Sequence, residues 1–426
     1  MKIAVFGINY HPELIGIGLY TTELCEYLSQ KNHEIDVFTA FPYYPFGYNF
    51  KSWHTTNRLL KYSLFLKEEI QGVTVFRVNF FKPKKPNALK RILHEATFVF
   101  MITARCLFCR KKYDLAICIS PPLALGLTAW VFARIRRIPL LLHIQDLVPD
   151  AIIDLRILKE GFIVSCLRIL EKFLYQKADI VSTISEGMRE RIIQKGLPTK
   201  KVALLPNWSN TSKIKPVPKD NSFRKEYGLS QKFILLHAGN MGEKQDFSII
   251  IECAKKLAHD KDIVFLLAGR GIKRPFVEKS ITIEHLSNIV LIDVQPEDKL
   301  SEMFSASDAA LIAQMKGIKN VVMPSKFFGP AAAKKPFIIA AEKECEIAKE
   351  AILYDFGLCI EPGEPEQLIK AIYRLKNDSH LTKRLGENSY KFVSRYRGKQ
   401  DMLKNFEEVL CAIKNNEPSS ISCTRH

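Results

Sequence analysis

Short runs of Val, Ile and Leu alternate with helix-like segments along nearly the whole chain, and the alternation is written twice. The first set reads KIAVFGI, EIDVFTA, VTVFRVNF, LAICIS, PLLLHIQD, DIVSTIS and KVALLPN. The second reads FILLHAGN, DIVFLLAGR, IVLIDVQ, DAALIAQ, KPFIIAA and GLCIEP. Runs this continuous fit strands buried on both faces of a parallel sheet, with amphipathic stretches such as TTELCEYLSQKNH as crossovers. The pattern predicts an α/β chain with two doubly wound, Rossmann-like domains, and 426 residues suit two cores better than one. The boundary falls in PNWSNTSKIKPVPKDNS, which is rich in Pro, Asn, Ser and Lys and carries no apolar period. Domains are expected at 1–207 and 223–390, then a closing helix at 391–415 and a disordered tail at 416–426.

Charge narrows the partners. The chain carries 63 Lys and Arg against 45 Asp and Glu, a formal net charge of +18. Such an excess favours nucleic acid, an anionic membrane face or phosphorylated substrates. A nucleic-acid binder should interleave basic and exposed aromatic residues or carry a recognised module, and neither is present. The segment FKPKKPNALKRILHEATFVFMITARCLFCRKK holds nine Lys and Arg against one acid, Glu95. Within it Leu89, Ile92, Leu93, Ala96, Val99 and Phe100 recur at helical spacing. Residues 82–112 therefore read either as an interfacial helix on an anionic leaflet or as a core helix flanked by solvated lysines.

No stretch reaches the roughly 18–20 apolar residues of a membrane span. The opening MKIAVFGINY lacks the pattern of a secretory leader, and ten scattered cysteines fit a reduced, cytoplasmic setting. Cys106 and Cys109 form a Cys-x-x-Cys without a second pair, so no zinc site is expected.

Loops after the strands carry the candidate chemistry. In GINYHPELIGIGLYT, Gly16 and Gly18 lack the third glycine of a dinucleotide fingerprint, because Thr21 stands there. Asp36 lies inside its strand, not at the end where a ribose carboxylate belongs, and no P-loop motif occurs. What remains is either a loop that lets backbone approach a ligand at a helix N-terminus or a tight turn needing glycine for its dihedrals. HAGNMGEKQ places Gly239, Asn240, Gly242 and Lys244 after another strand. LLAGRGIK adds Gly269, Arg270 and Gly271, and MPSKFFG adds Pro324, Ser325 and Lys326. Glycines and cations that recur at strand ends of one domain mark an anion-binding crevice. The single Asp-x-Asp, Asp260-Lys261-Asp262, precedes its strand and reads as a solvated turn.

HAGNMGEKQ, ADIVSTISEGMRERI, PNWSN and PSK resemble the retaining glycosyltransferases of family 4, which have the two-domain GT-B architecture. GINYHPELIGIGLYT and LHIQDLVPDAI are similar to enzymes of colanic-acid and O-antigen assembly, some of which move fucose or N-acetylfucosamine. The resemblance spans residues 1 to about 415. It implies two Rossmann-like domains facing a central cleft, a nucleotide-sugar donor as substrate rather than cofactor, and no metal. It implies donor contacts from Gly16, Gly18, Gly239, Asn240, Gly242, Lys244, Gly269, Gly271, Ser325 and Lys326. Lys244 would neutralise the diphosphate, and His143 and Asp146 of LHIQD would face the reaction from the first domain. Glu186 in TISEGM begins a helix and reads equally as a plain cap-region carboxylate favoured by the helix dipole.

The pattern is broken at three positions. Asn240 stands where many members have arginine, and a common pair of glutamates would fall near Lys319 and at Gly329, neither of which is acidic. The implied reaction is retaining transfer by same-face attack, with the leaving phosphate taking the acceptor proton. The implied acceptor is an undecaprenyl-diphosphate-linked glycan at the cytoplasmic face of the inner membrane, in bacterial surface polysaccharide assembly. A GT-B-shaped nucleotide-sugar epimerase or a non-catalytic sugar-nucleotide-binding relative is the alternative.

Overall fold

The computed structural model describes residues 1–13, 16–44, 63–83, 88–154, 161–317 and 324–417. They form two compact units: 1–153, 158–206 and 402–426 make the first, and 207–401 the greater part of the second.

The first unit holds one eight-stranded sheet in the order β3-β4-β2-β1-β5-β6-β7-β8. Its strands are β1 Lys2–Phe6, β2 Glu34–Ala40, β3 Phe65–Ile70, β4 Val73–Val78, β5 Leu115–Ser120, β6 Leu140–Ile144, β7 Ile180–Thr183 and β8 Val202–Leu204. All pairs are parallel except β3 with β4. The sequence reading anticipated seven of these strands and missed β3. In FLKEEI every other residue is exposed, the pattern of an edge strand. Gln71 and Gly72, both at positive φ, make the two-residue turn that returns it onto β4. The helices are α1 Ile17–Gln30, α2 Ala88–Leu107, α3 Leu125–Arg136, α4 Val148–Asp154, α5 Phe162–Lys177 and α6 Glu186–Gln194.

The second unit holds a parallel six-stranded sheet in the order β11-β10-β9-β12-β13-β14. Its strands are β9 Phe233–Ala238, β10 Ile263–Ala268, β11 Ile289–Ile292, β12 Ala309–Ala313, β13 Phe337–Ala340 and β14 Gly357–Ile360, matching the six runs read from sequence. Its helices are α7 Ser222–Glu226, α8 Phe247–Lys256, α9 Arg274–Ile283, α10 Leu300–Ala306, α11 Phe328–Ala332, α12 Glu346–Leu353, α13 Pro365–Asn377 and α14 Ser379–Tyr396. Asp246 caps α8 by accepting from Ser248 N and Ile249 N, and Asp378 caps α14 through Leu381 N.

Two boundaries differ from the sequence expectation. The segment 207–222 packs with the second unit, where Ser209 N donates to Arg397 O at 2.7 Å. The last helix, α15 Lys399–Lys414, contributes its residues from Met402 onward to the first unit. There Tyr27 Oη donates to Glu407 Oε2 at 3.0 Å and His33 Nε2 lies 2.9 Å from Glu407 Oε1. Residues 418–426 lie outside the described residues.

Candidate functional site

Each sheet has one point where the chain reverses its direction of travel: between β1 and β5 in the first unit, and between β9 and β12 in the second. An open parallel sheet binds ligands beyond the strand ends at such a point. The glycine loops singled out in the sequence follow β1 and β9.

In the second unit the loops after β9, β10 and β12 interlock. Gly239 N donates to Ala268 O at 2.9 Å, Met241 N to Arg270 O at 2.8 Å, and Lys273 N to Met241 O at 2.9 Å. Gln245 bridges antiparallel to Gln314, and Met315 N donates to Lys244 O at 3.1 Å. Glycine is required at the crossings. Gly269 has φ +147° and a Cβ there would land on the Gly239 carbonyl oxygen. Gly271 has φ +153° and a Cβ would land on the Met241 carbonyl. These two glycines are therefore explained by loop-on-loop contact, a reason the sequence reading, which gave their space to a nucleotide, did not include. A Cβ on Gly242 would meet Asn240 Nδ2 at 3.2 Å.

Lys326 joins this cluster from the turn Ser325–Phe327, in which Ser325 is exposed. Its side chain lies along Gly239, with its Cβ 3.6 Å from where a Gly239 Cβ would stand. Its Nζ is 3.4 Å from Nε2 of His237, which ends β9. Burial pushes the Lys326 amine down to about 7 and, with the Lys326 charge beside it, holds His237 neutral. His237 was not singled out in the sequence; its only signal was a polar residue in an otherwise apolar strand. Arg270 is engaged in an ion pair with Asp293 at 2.6 Å. Asp260 accepts from Lys376 at 2.9 Å and Tyr373 at 3.2 Å, so the Asp-x-Asp is a structural turn at the start of β10.

The two positions of the missing glutamate pair part company. Lys319 lies outside the described residues. Gly329 sits in α11, where a Cβ would be 2.5 Å from the Phe304 ring. The position is built for no side chain at all.

In the first unit, Gly16 has φ +58° with nothing among the described residues within 4 Å of a Cβ, whereas a Cβ on Gly18 would run into the Glu13 carbonyl oxygen. Gly16 is thus needed for its dihedral and Gly18 for packing. Glu13, which the sequence reading passed over, is the hub of this loop. It is buried and accepts from Asn9 Nδ2 at 2.9 Å and from Tyr43 N and Tyr44 N at 2.5 and 2.6 Å. Burial raises its carboxyl above the usual range despite these donors. Asp146 follows β6 and is half-buried; burial raises the Tyr44 phenol, and the charges of Asp146 and Glu13 raise it further. Arg77, fully buried, donates to His11 O and Ala40 O and pairs with Glu68.

His143 is buried, with partners on both sides of its ring. It is 3% exposed, its Nδ1 is 2.9 Å from Ser182 Oγ, its Nε2 is 2.9 Å from Gln145 Nε2, and Phe406 packs edge-on against the ring. Both ring nitrogens have partners inside the unit. Burial lowers it to about 3. A folded value below the unfolded 6.5 means the unfolded chain binds the extra proton. Stability is therefore expected to fall as pH drops below about 6.5, by up to about 1.4 kcal/mol per pH unit from this group. Urea denaturation of wild type and His143→Gln at pH 7.5, 6.0 and 5.0 checks this; the variant should lose about one proton of slope.

The other residues weighed in the sequence have partners within the first unit. Asp36 accepts from Tyr113 Oη at 2.6 Å and Lys111 Nζ at 2.8 Å, Cys109 Sγ lies 3.2 Å from the same phenol, and Cys106 is buried. Glu186 opens α6 behind the Ser185 cap and pairs with Arg189 at 2.7 Å.

The profile described as "Glycosyl transferase 4-like domain" matches residues 16–208, and that described as "Glycosyl transferases group 1" matches 219–392. The putative colanic acid biosynthesis glycosyl transferase WcaI of Escherichia coli K12 is 31% identical over 420 residues, 95% of this chain and 98% of that protein. The chain is a family 4 glycosyltransferase. The probable glycosyltransferase WbjE of Pseudomonas aeruginosa is 22% identical over 68% of this chain and 73% of its own length. Among solved structures, Anabaena HepE with UDP-glucose superposes with a TM-score of 0.72 at 15% identity, covering 97% of this chain and all of that one. WaaG, a glycosyltransferase involved in lipopolysaccharide biosynthesis, gives 0.64 at 14% identity over 99% of both chains. The architecture of this glycosyltransferase is accordingly GT-B, as its two parallel-sheet units indicate.

Proposed function

We propose that this glycosyltransferase moves a sugar from a nucleotide-sugar donor to a lipid-linked glycan acceptor during assembly of a bacterial surface polysaccharide. The observation that carries the reading is the loop cluster at the β9–β12 reversal point, where Lys326 lies against Gly239 and the loop bearing Lys244. Buried-edge cations and backbone N–H groups are suited to the charge that grows on a departing diphosphate. The bond from the anomeric carbon to the diphosphate oxygen breaks, and a bond to the acceptor hydroxyl oxygen forms on the same face. The acceptor proton passes to the leaving phosphate. In this account Lys244 and Lys326 neutralise the diphosphate, and no metal or cofactor takes part.

The relatives support the substrate classes. HepE was solved with UDP-glucose, the WcaI name refers to colanic acid, and a further relative is named as an α-galactosylglucosyldiacylglycerol synthase. An acceptor of this kind sits at the inner membrane. In this reading the basic segment 82–112 contributes to peripheral attachment; no helix among the described residues is long and apolar enough to cross a bilayer. A nucleotide-sugar epimerase or a binding-only relative is the second reading, favoured by Gly329, where the space for the usual carboxylate is filled by Phe304.

Product stereochemistry tests the mechanism. The anomeric proton coupling of the new linkage, read by NMR, should match the donor configuration, and turnover should survive EDTA. An inverted product, or loss of turnover restored by a divalent ion, would refute that part.

A further inference from the structure

The charge run that suggested membrane attachment is partly engaged inside the protein. Lys111 pairs with Glu34 at 2.6 Å and Asp36 at 2.8 Å, and the Arg105 guanidinium lies 4.4 Å from the Phe76 ring centre. Lys82 lies between the Phe41 and Phe80 rings. The exposed apolar surface, by contrast, extends well beyond residues 82–112.

Three helices, α2, α3 and α5, lie side by side in the first unit. Thr103 Oγ1 of α2 is 2.7 Å from Thr128 Oγ1 of α3. Trp130 of α3 meets Phe173 of α5 edge-on at 5.0 Å, and a Cβ on Gly126 would be 2.7 Å from the Leu174 side chain. Their inner sides fill the core with Phe98, Ile102, Phe132 and Leu174. On their outer sides Phe100 and Leu107 of α2 are each 71% exposed, Val131 and Ile135 stand one turn apart on α3, and α5 adds Phe162 at 84% and Ile169 at 69%. Single exposed apolar residues are ordinary, but rows on three adjacent helices are not.

The charges on the same helices select the occupant. Their sequences contain eight Lys and Arg (Lys90, Arg91, Arg105, Arg134, Arg136, Arg168, Lys172 and Lys177) against two acids, Glu95 and Glu171. Glu171 is buried and paired with Lys195 at 2.8 Å. Arg134, Arg168 and Lys172 are exposed among the apolar rows. A second copy of the chain would set like charges against like charges, which is unfavourable. An anionic bilayer surface takes the apolar side chains into its headgroup boundary and the cations against its phosphates.

We propose that the outer face of α2, α3 and α5 together is the docking surface for an anionic phospholipid leaflet. This rests on the reading of a membrane-borne acceptor, and it assigns most of the attachment to residues outside the basic segment.

Flotation of the full-length protein with vesicles tests it without reference to turnover. Wild type should float with phosphatidylglycerol–phosphatidylethanolamine vesicles and at least tenfold less with pure phosphatidylcholine or in 0.5 M salt, where the screening length is about 4 Å. Ile135→Ser with Phe162→Ser, both outside residues 82–112, should cut flotation at least tenfold. Ile352→Ser, on an exposed apolar residue of α12, should leave it unchanged. Each altered side chain is solvent-exposed, so melting curves should coincide with wild type. Undiminished flotation of the double variant, or none for wild type, overturns the docking face. A concentration-dependent dimer abolished by the double variant would reassign the face to a second copy and also overturn it. Vesicle binding without any sugar transfer leaves the face standing and removes the functional reading; transfer to a detergent-solubilised acceptor without vesicle binding does the reverse.

Discussion

Replacing Lys326 with methionine is expected to weaken nucleotide-sugar binding about 30- to 100-fold at pH 6.5, the loss typical of truncating one partner of a desolvated charge pair. The pH dependence is more diagnostic than the size. Burial lowers the amine to about 7 in the free protein, so the ammonium is the minority form at higher pH. A bound diphosphate favours the charged form and raises that value again, which means that binding above pH 7 takes up a proton. Wild-type affinity should therefore be nearly flat below pH 6.5 and weaken up to about tenfold per pH unit above 7. Lys326→Met should be weak and flat throughout. Titration calorimetry in buffers of different ionisation enthalpy counts the proton directly. A wild-type affinity that does not change between pH 6.5 and 8.5 would remove Lys326 from the diphosphate. Lys244→Ala should weaken binding as well, but without altering the pH profile.

Gly269→Ala should be among the most damaging single-methyl additions in the second unit. The new Cβ would meet the Gly239 carbonyl oxygen, and φ at +147° is a conformation alanine resists. Neither strand end can retreat easily, because Gly269 N is bonded to Ile292 O and Gly239 N to Ala268 O. A loss of about 3 kcal/mol or more is expected, together with nucleotide binding, since the interlocked loops must separate. Gly16→Ala is the matched control. Its φ of +58° is also positive, with ψ at −130°, but among the described residues nothing lies within 4 Å of the added carbon, so about 1–3 kcal/mol from the dihedral alone is the expected loss. Urea unfolding of both variants checks the contrast, and equal destabilisation would mean that dihedral strain, not loop crossing, dominates.

Most of the thirteen strands that could be read from sequence share one property: both faces are buried, so their apolar runs are continuous and need no period to be seen; β11 and β14, at the edges of the second sheet, are only partly buried yet keep short apolar runs. β3 failed this test because FLKEEI alternates at an edge, and its hairpin turn, Gln71-Gly72, is short and easily overlooked. The loops of the candidate site were legible because glycine and lysine cluster after β9 and β10. Their reasons were not. Gly269 and Gly271 are explained by carbonyls some thirty residues earlier in the chain, which no local reading supplies. His143 looked like a site residue because it ends an apolar strand; Ser182 and Phe406, which hold its ring, are remote in sequence. The same distance hid His237, whose partner Lys326 is 89 residues away, and Lys111, whose partner Asp36 is 75 away. Burial of a polar group is a tertiary fact, which no local stretch of sequence supplies.

The most direct measurement is sugar transfer itself: a panel of radiolabelled nucleotide sugars incubated with the protein and bacterial lipid extract, in EDTA, with label followed into the lipid phase. Incorporation from a single donor, lost in Lys326→Met and Lys244→Ala, is the predicted result. Label that stays in the aqueous phase, with the donor bound but unaltered or converted to an epimer, would contradict transfer to a lipid-linked acceptor.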